Sequence, residues 1–148
     1  PASTLEQMYL NVWFDGNRDG DWADVGVCQG EQFPGGEARA FEWIIQDFSV
    51  DMAALPAGTA IDIPITTKLV YNTPAELDAA LHWMRFSLSE TPAIVDPATG
   101  LADGRGPDTP NAFAFGETED YLRRLEQSGQ PGELRIAKRV ERRALARL

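Results

Sequence analysis

Apolar and polar residues alternate along this chain in short runs. In "LEQMYLNVWF", Met8, Leu10, Val12 and Phe14 fall on one side and Tyr9, Asn11 and Trp13 on the other, which is the period-two pattern of a strand. The run "FEWIIQDFSV" (41–50) is apolar with aromatic and β-branched enrichment, and "AIDIPITTKLVY" (60–71) alternates Ile61, Ile63 and Ile65. Both predict strands, and Pro64 marks the second as an edge or a bulge. "HWMRFSLSE" alternates again, with Met84, Phe86 and Leu88 facing one way and Trp83, Arg85 and Ser87 the other; a last strand follows in "GETEDYLRRL".

A helix signal appears in "TPAELDAAL", where Thr73 suits the N-cap, Pro74 the first helical position and Glu76 the capping box. Two stretches are dense in Gly and Pro. "GVCQGEQFPGGEARA" predicts an irregular connection, and "TPAIVDPATGLADGRGPDTPNAFAFG" a loop far longer than a hairpin needs, as expected of a functional or partner-covered segment. No internal repeat or low-complexity segment appears. The expected fold is all-β: a β-sandwich of jelly-roll or immunoglobulin-like Greek-key type, with one short helical insert and a long loop before the last strand.

The first predicted strand delivers Asp15 into "DGNRDGDW". Asp15, Asn17, Asp19 and Asp21 alternate there, and clustered carboxylates repel one another unless a hard cation sits among them. The spacing D-x-N-x-D-G matches the first half of an EF-hand loop, with Gly20 at the sharp turn and Asp21 where a backbone carbonyl ligates. Calcium is therefore the expected cofactor. The position that usually carries the closing bidentate glutamate is Gly26, and the flanks do not read as helices. Either the site is weak or its closing carboxylate arrives from elsewhere in the chain; an acidic surface turn is the plainer reading of the same residues.

At 148 residues the chain fits one domain, and 43% hydrophobic residues with a mean hydropathy of -0.29 describe an ordinary globular composition. No apolar run approaches the ~20 residues of a membrane helix, so no membrane insertion is expected. The opening "PASTL", without a methionine, is expected of a processed or excised piece and leaves export open. Net charge is -10 but split: residues 1–122 carry 5 basic and 20 acidic side chains, residues 123–148 carry 8 basic and 3 acidic. An acidic body argues against nucleic-acid binding and suits a cation-binding surface protein. Cys28 has no second cysteine to bridge, and a buried packing role is expected; His82, the single histidine, is expected half-exposed beside Trp83.

A second carboxylate cluster lies in "GETEDY", where strand alternation sets Glu117 and Glu119 on one side and Thr118 and Asp120 on the other. Arg85, on an otherwise neutral strand face, needs an acidic partner, and this cluster is the candidate for a structural ion pair. The combination of "WFDGNRDGDW", "MRFSLSE" and "GETEDYL" resembles the GEVED domain, a bacterial extracellular β-sandwich module, over about Tyr9 to Leu122. Thr118 stands where the family's name has valine, and the helical insert and the long loop depart from its pattern. The resemblance implies a noncatalytic piece of a secreted or cell-surface protein. It further implies calcium held by Asp15, Asn17, Asp19 and Asp21 together with carboxylates of the closing motif, Glu117 first and Glu119 and Asp120 beside it.

Residues 1–122 are thus expected to form the domain and 123–148 a basic tail. The tail's "ELRIAKRV" is similar to the opening strand of repeats that follow such modules, with Leu134, Ile136 and Val140 apolar and Lys138 and Arg139 basic. Its residue types suit a helix equally well. The expected partners are adjacent domains or neighbouring copies of a surface protein, with carbohydrate or another cell-surface ligand as a further candidate through Trp13, Trp22 or Trp83.

The leading expectation is a calcium-stabilised structural or adhesive module, and the alternative a self-assembling filament or surface-layer subunit whose tail engages a neighbour's acidic body. A glycoside hydrolase using Glu117 and Glu119 is disfavoured, because the same residues serve better as ligands.

Overall fold

The computed structural model describes residues 6–29, 37–56, 60–66, 81–106, 113–124 and 135–141, with 28–29, 37–38, 60–66, 123–124 and 135–141 described by backbone alone. Among them the fold is all-β, in eight strands: β1 (Gln7–Phe14), β2 (Val25–Gln29), β3 (Glu37–Phe41), β4 (Trp43–Asp51), β5 (Ala60–Thr66), β6 (Leu81–Ser89), β7 (Gly116–Arg124) and β8 (Arg135–Glu141). A four-stranded antiparallel sheet runs in the order β4-β1-β6-β7, and β2-β3 and β5-β8 form two further antiparallel pairs. The helix expected from Thr73 lies outside the described residues.

β1 is central, and its two faces are covered by different parts of the chain. Met8, Leu10, Val12 and Phe14 enter a core with Ile44, Ile45, Val50, Met84 and Leu88, each large side chain contributing ~1.5–3 kcal/mol by leaving water. On the opposite face Trp13 stacks on Trp43 at 6.1 Å, with Ala102 buried against the pair. The Trp13 indole donates to the Ala102 carbonyl at 2.9 Å, so the long loop before β7 is fastened over this face by its backbone. That loop is held at a second point, where the Ala93 N–H donates to Asp47 at 2.7 Å.

Asp47 sits at φ 48° in a bulge of β4, where Leu10 opposes Phe48 but Val12 opposes Ile45. Two residues of β4 then face one of β1, and Asn11 fills the broken ladder. Its carbonyl accepts from the Asp47 N–H at 2.8 Å and the Trp43 indole at 2.9 Å, while its amide donates to the Asp47 carboxylate at 2.9 Å. A buried amide satisfied on both ends specifies one register.

The structure changes three expectations. The stretch from Gly26 to Ala40, read as an irregular connection, contributes the β2–β3 ribbon, with Val25 opposite Phe41 and Gln29 opposite Glu37. The apolar run 41–50 is interrupted at Glu42, which lies between β3 and β4. The basic tail, open between helix and strand in the sequence, contributes β8, paired along its length with β5 so that Ile136 opposes Ile65, Lys138 opposes Ile63, Arg139 opposes Asp62 and Val140 opposes Ile61; Leu134 lies outside the described residues. Among the described residues β5 pairs only with β8, and an edge position of this kind tolerates Pro64.

Candidate metal centre

β1 ends at Phe14, and the chain turns into the acidic loop with its first residue already tied down. The Asp15 N–H donates to the Trp83 carbonyl at 3.0 Å and the Phe14 N–H to the Glu42 carbonyl at 2.8 Å. From there the loop is shaped by its own side chains acting on backbone donors. Asn17 accepts from Asp19 N–H at 3.1 Å, Asp19 from Asp21 N–H at 3.1 Å, and Asp21 from Ala23 N–H at 3.2 Å, a succession of Asx turns. Gly20 at φ 88° takes the left-handed turn that a side chain resists, and its N–H donates to Asp15 Oδ2 at 3.3 Å. The Asn17 amide bridges Asp19 at 2.8 Å and Asp24 at 2.6 Å, leaving its carbonyl to the loop.

Glu42 closes the loop, and it is the residue that the motif reading missed. Fully buried, it receives the Gly16 N–H on Oε1 at 3.0 Å and the Asp24 N–H on Oε2 at 3.3 Å. Its backbone N–H donates to the Asp24 carbonyl at 3.0 Å. Carboxylate oxygens of Asp15, Asp19 and Glu42 lie within 4.8 Å of one another, as do those of Asp19, Asp21 and Asp24. Asp15 is itself 2% exposed, and its Oδ1 is buried with no hydrogen-bond partner. A buried carboxylate oxygen without a donor is costly in any folded protein, and a cation is one means of satisfying it.

The electrostatics follow from this crowding. Burial pushes the Glu42 carboxyl up to about 8, against the lowering effect of its two backbone donors. Burial raises Asp15 as well, opposed by backbone N–H groups of the loop, and Asp24 is raised by burial and then by the charges of Asp21 and Asp19. Burial and neighbouring carboxylates thus favour the protonated form of Glu42, and a nearby cation would favour the ionised one.

Behind the loop lies His82, which is fully buried rather than half-exposed. Its ring packs on Phe14 at 4.8 Å, and Nδ1 is 3.1 Å from the Asp15 carbonyl. A carbonyl only accepts, so Nδ1 carries the proton and the imidazole anchors the first residue of the loop from inside the core.

The structure divides the expected ligand set. Asp15, Asn17, Asp19 and Asp21 share the loop, and Asp24 and Glu42 join them. The closing motif goes elsewhere. Asp120 receives both Nε and Nη2 of Arg85 at 2.7 Å, a bidentate pair, and the Arg85 guanidinium lies over the Trp22 ring at 5.1 Å while donating to the Gly104 carbonyl at 3.0 Å. The side-chain bond to Arg85 holds Asp120 below the usual carboxylate range and raises Arg85.

Glu117 opposes Leu88, five residues along β6 from the Trp83 that touches Asp15, a displacement of about 17 Å along a strand. Glu119 opposes Phe86 and accepts from the Tyr121 hydroxyl at 2.5 Å. Of the tryptophans, Trp13 is core, Trp22 lies beneath Arg85, and Trp83 is 48% exposed.

No family model, curated protein or solved structure matches this chain.

Proposed function

We propose that this chain is a noncatalytic, calcium-stabilised structural or adhesive module of a secreted or cell-surface protein. The observation that carries the reading is the buried, partnerless Asp15 Oδ1 in a group whose other members, Asp19 and Glu42, present oxygens within 4.8 Å. That spread is no more than twice a calcium–oxygen distance of ~2.4 Å, so the three oxygens can border one ion. The donors are all oxygens, which suits a hard cation and excludes nothing in the loop's own hydrogen bonding. Asp15, Asp19 and Glu42 would hold the ion, with the Asn17 carbonyl and Asp21 or Asp24 within the same loop to complete its shell. The resemblance of "WFDGNRDGDW" and "GETEDYL" to the GEVED domain supports the extracellular setting.

An ion here would join the end of β1 to the β3–β4 junction. A metal bound to the folded state alone stabilises it by ~2.7 kcal/mol when its free concentration is 100 times Kd. A chain with one cysteine gains by this means the cross-link that a disulfide supplies elsewhere. The test is a thermal melt in excess calcium and in chelator, beside isothermal titration with calcium and magnesium. A calcium-dependent rise in Tm that is lost in Asp15→Ala supports the reading; identical melts in calcium and chelator overturn it.

A further inference from the structure

The acidic loop and the long loop meet through tryptophans. Trp13 lies two residues before Asp15, Trp22 stands between Asp21 and Asp24, and Trp43 directly follows Glu42. Trp13 and Trp43 are buried and stacked at 6.1 Å, and Trp22 packs against the same group. Each segment that supplies candidate ligands, namely the end of β1, the acidic loop and the β3–β4 junction, therefore gives a ring to a single aromatic bed.

The long loop is seated on that bed. Ala102 is buried against it with Ala93 and Leu101 alongside, and the Trp13 indole holds the Ala102 carbonyl at 2.9 Å. Arg85, lying over Trp22 at 5.1 Å, holds the Gly104 carbonyl at 3.0 Å. The backbone comes so near at Gly104 that a Cβ would stand 3.4 Å from both the Trp13 ring and Arg85 Cδ. Between these points the segment closes a turn on itself: the Asp96 N–H donates to the Leu101 carbonyl at 2.8 Å and the Gly100 N–H to the Asp96 carbonyl at 2.7 Å. A loop bonded internally and seated on a few side chains opens as a unit, at less cost than global unfolding.

We propose that calcium in the acidic loop controls the docking of residues 96–106 on the tryptophan bed, which makes the long loop the calcium-responsive part of the molecule. The inference rests on the calcium reading given above. An ion that draws Asp15, Asp19 and Glu42 together fixes the segments carrying Trp13, Trp22 and Trp43, and a bed held in one arrangement gives the loop its full contact. Linkage makes the effect reciprocal. A docked loop holds the rings, and with them the ligand-bearing segments, so it raises the affinity for the ion by the same factor. The ion and the loop need not touch.

The test joins hydrogen exchange of the full chain, in calcium and in chelator, to calorimetric titration of two loop variants. Calcium should slow exchange of the Asp96 and Gly100 amides about tenfold, within the usual range of such couplings. The Ala53 and Ala54 amides, bonded to Asp51 in a turn away from the bed, should not respond. Ala102→Glu sets a carboxylate against the tryptophans, and Gly104→Val crowds Trp13 and Arg85 at a φ of 72° that a side chain resists; both leave every candidate ligand in place. Each should raise the Kd for calcium about tenfold. Circular dichroism establishes folding, and the milder Gly104→Val carries the test if Ala102→Glu does not fold. Calcium that binds without slowing exchange at Asp96 and Gly100, or that slows Ala53 and Ala54 equally, overturns the proposal. Unchanged affinity in the folded variants overturns it too. A chain that binds no calcium overturns the calcium reading itself, and this inference with it.

Discussion

Glu42 Oε1 accepts the N–H of Gly16 at 3.0 Å across 26 residues of chain, fastening the β3–β4 junction to the first turn of the acidic loop. The contact joins two segments that share no sequence motif. It makes Glu42 a structural acceptor for the loop and, on the proposed calcium reading, the carboxylate that a loop cation would meet from the core side.

Glu42→Gln should separate these roles. The amide keeps one oxygen for a backbone donor but cannot neutralise a cation, so the calcium-dependent rise in Tm should disappear. In chelator the loss is limited to one backbone partner, about 1–3 kcal/mol. Paired melts in calcium and in chelator check both halves.

Asp15→Ala and Glu117→Ala should behave differently. Asp15 carries the partnerless buried oxygen, and Glu117 lies some 17 Å along the sheet by the strand rise. Calorimetric titration should show calcium binding lost in Asp15→Ala and retained in Glu117→Ala. The double variant Asp15→Ala/Glu42→Gln should cost less than the sum of the singles, because both residues serve one ion.

Stability in chelator should fall as pH rises. Glu42 titrates at about 8 in the folded chain against 4.5 when unfolded, so between those values the folded state holds the extra proton and loses advantage with each step upward. Calcium should abolish this slope, since the bound ion favours the ionised carboxylate, and its binding should release protons. Melts from pH 5 to about 8.5 with and without calcium, with titrations in buffers of different ionisation enthalpy, measure both effects.

Arg85→Lys should destabilise by about 1–2 kcal/mol despite keeping the charge. An ammonium replaces the two-pronged bond to Asp120 by one contact and lies less well over Trp22. Asp120 is held below its ordinary 3.8, so its contribution is present above that value and fades as pH falls through the depressed one. Chemical denaturation of Arg85→Lys, Asp120→Asn and the pair at neutral and acidic pH should show coupling that shrinks in acid.

Gly116→Ala tests the start of β7. A Cβ there would stand 2.5 Å from the Leu88 carbonyl oxygen, a backbone atom that cannot turn aside. The strand end must shift, at about 1–3 kcal/mol. A melt showing no change would mean that this end of the β6–β7 ladder yields freely.

Much of the all-β character was legible because burial imprints a local period. β1, β4 and β6 alternate or run apolar where one or both faces are covered, and the Asp/Asn/Gly spacing of residues 15–21 shapes its own turns through contacts two residues apart. The β2–β3 ribbon escaped notice because Gly26 and the glycine-rich run after it obscure alternation, and its pairing joins residues up to 16 positions apart. Glu42 left one faint trace, a lone carboxylate inside "FEWII". Read locally, it is an interruption in a strand; its meaning lies in Gly16 and Asp24, which the run does not contain.

The sequence by itself determined that strands form at β1, β4, β5, β6 and β7 and that one loop is rich in carboxylate and amide oxygens, since both depend on neighbours a few residues apart. Only the tertiary structure decided which carboxylate meets that loop. Register placed Asp120 opposite Arg85 and carried Glu117 down the sheet, and the break between β3 and β4 brought Glu42 to Gly16. Antiparallel pairing converts small differences in register into several ångströms, and oxygens can share an ion only within a few.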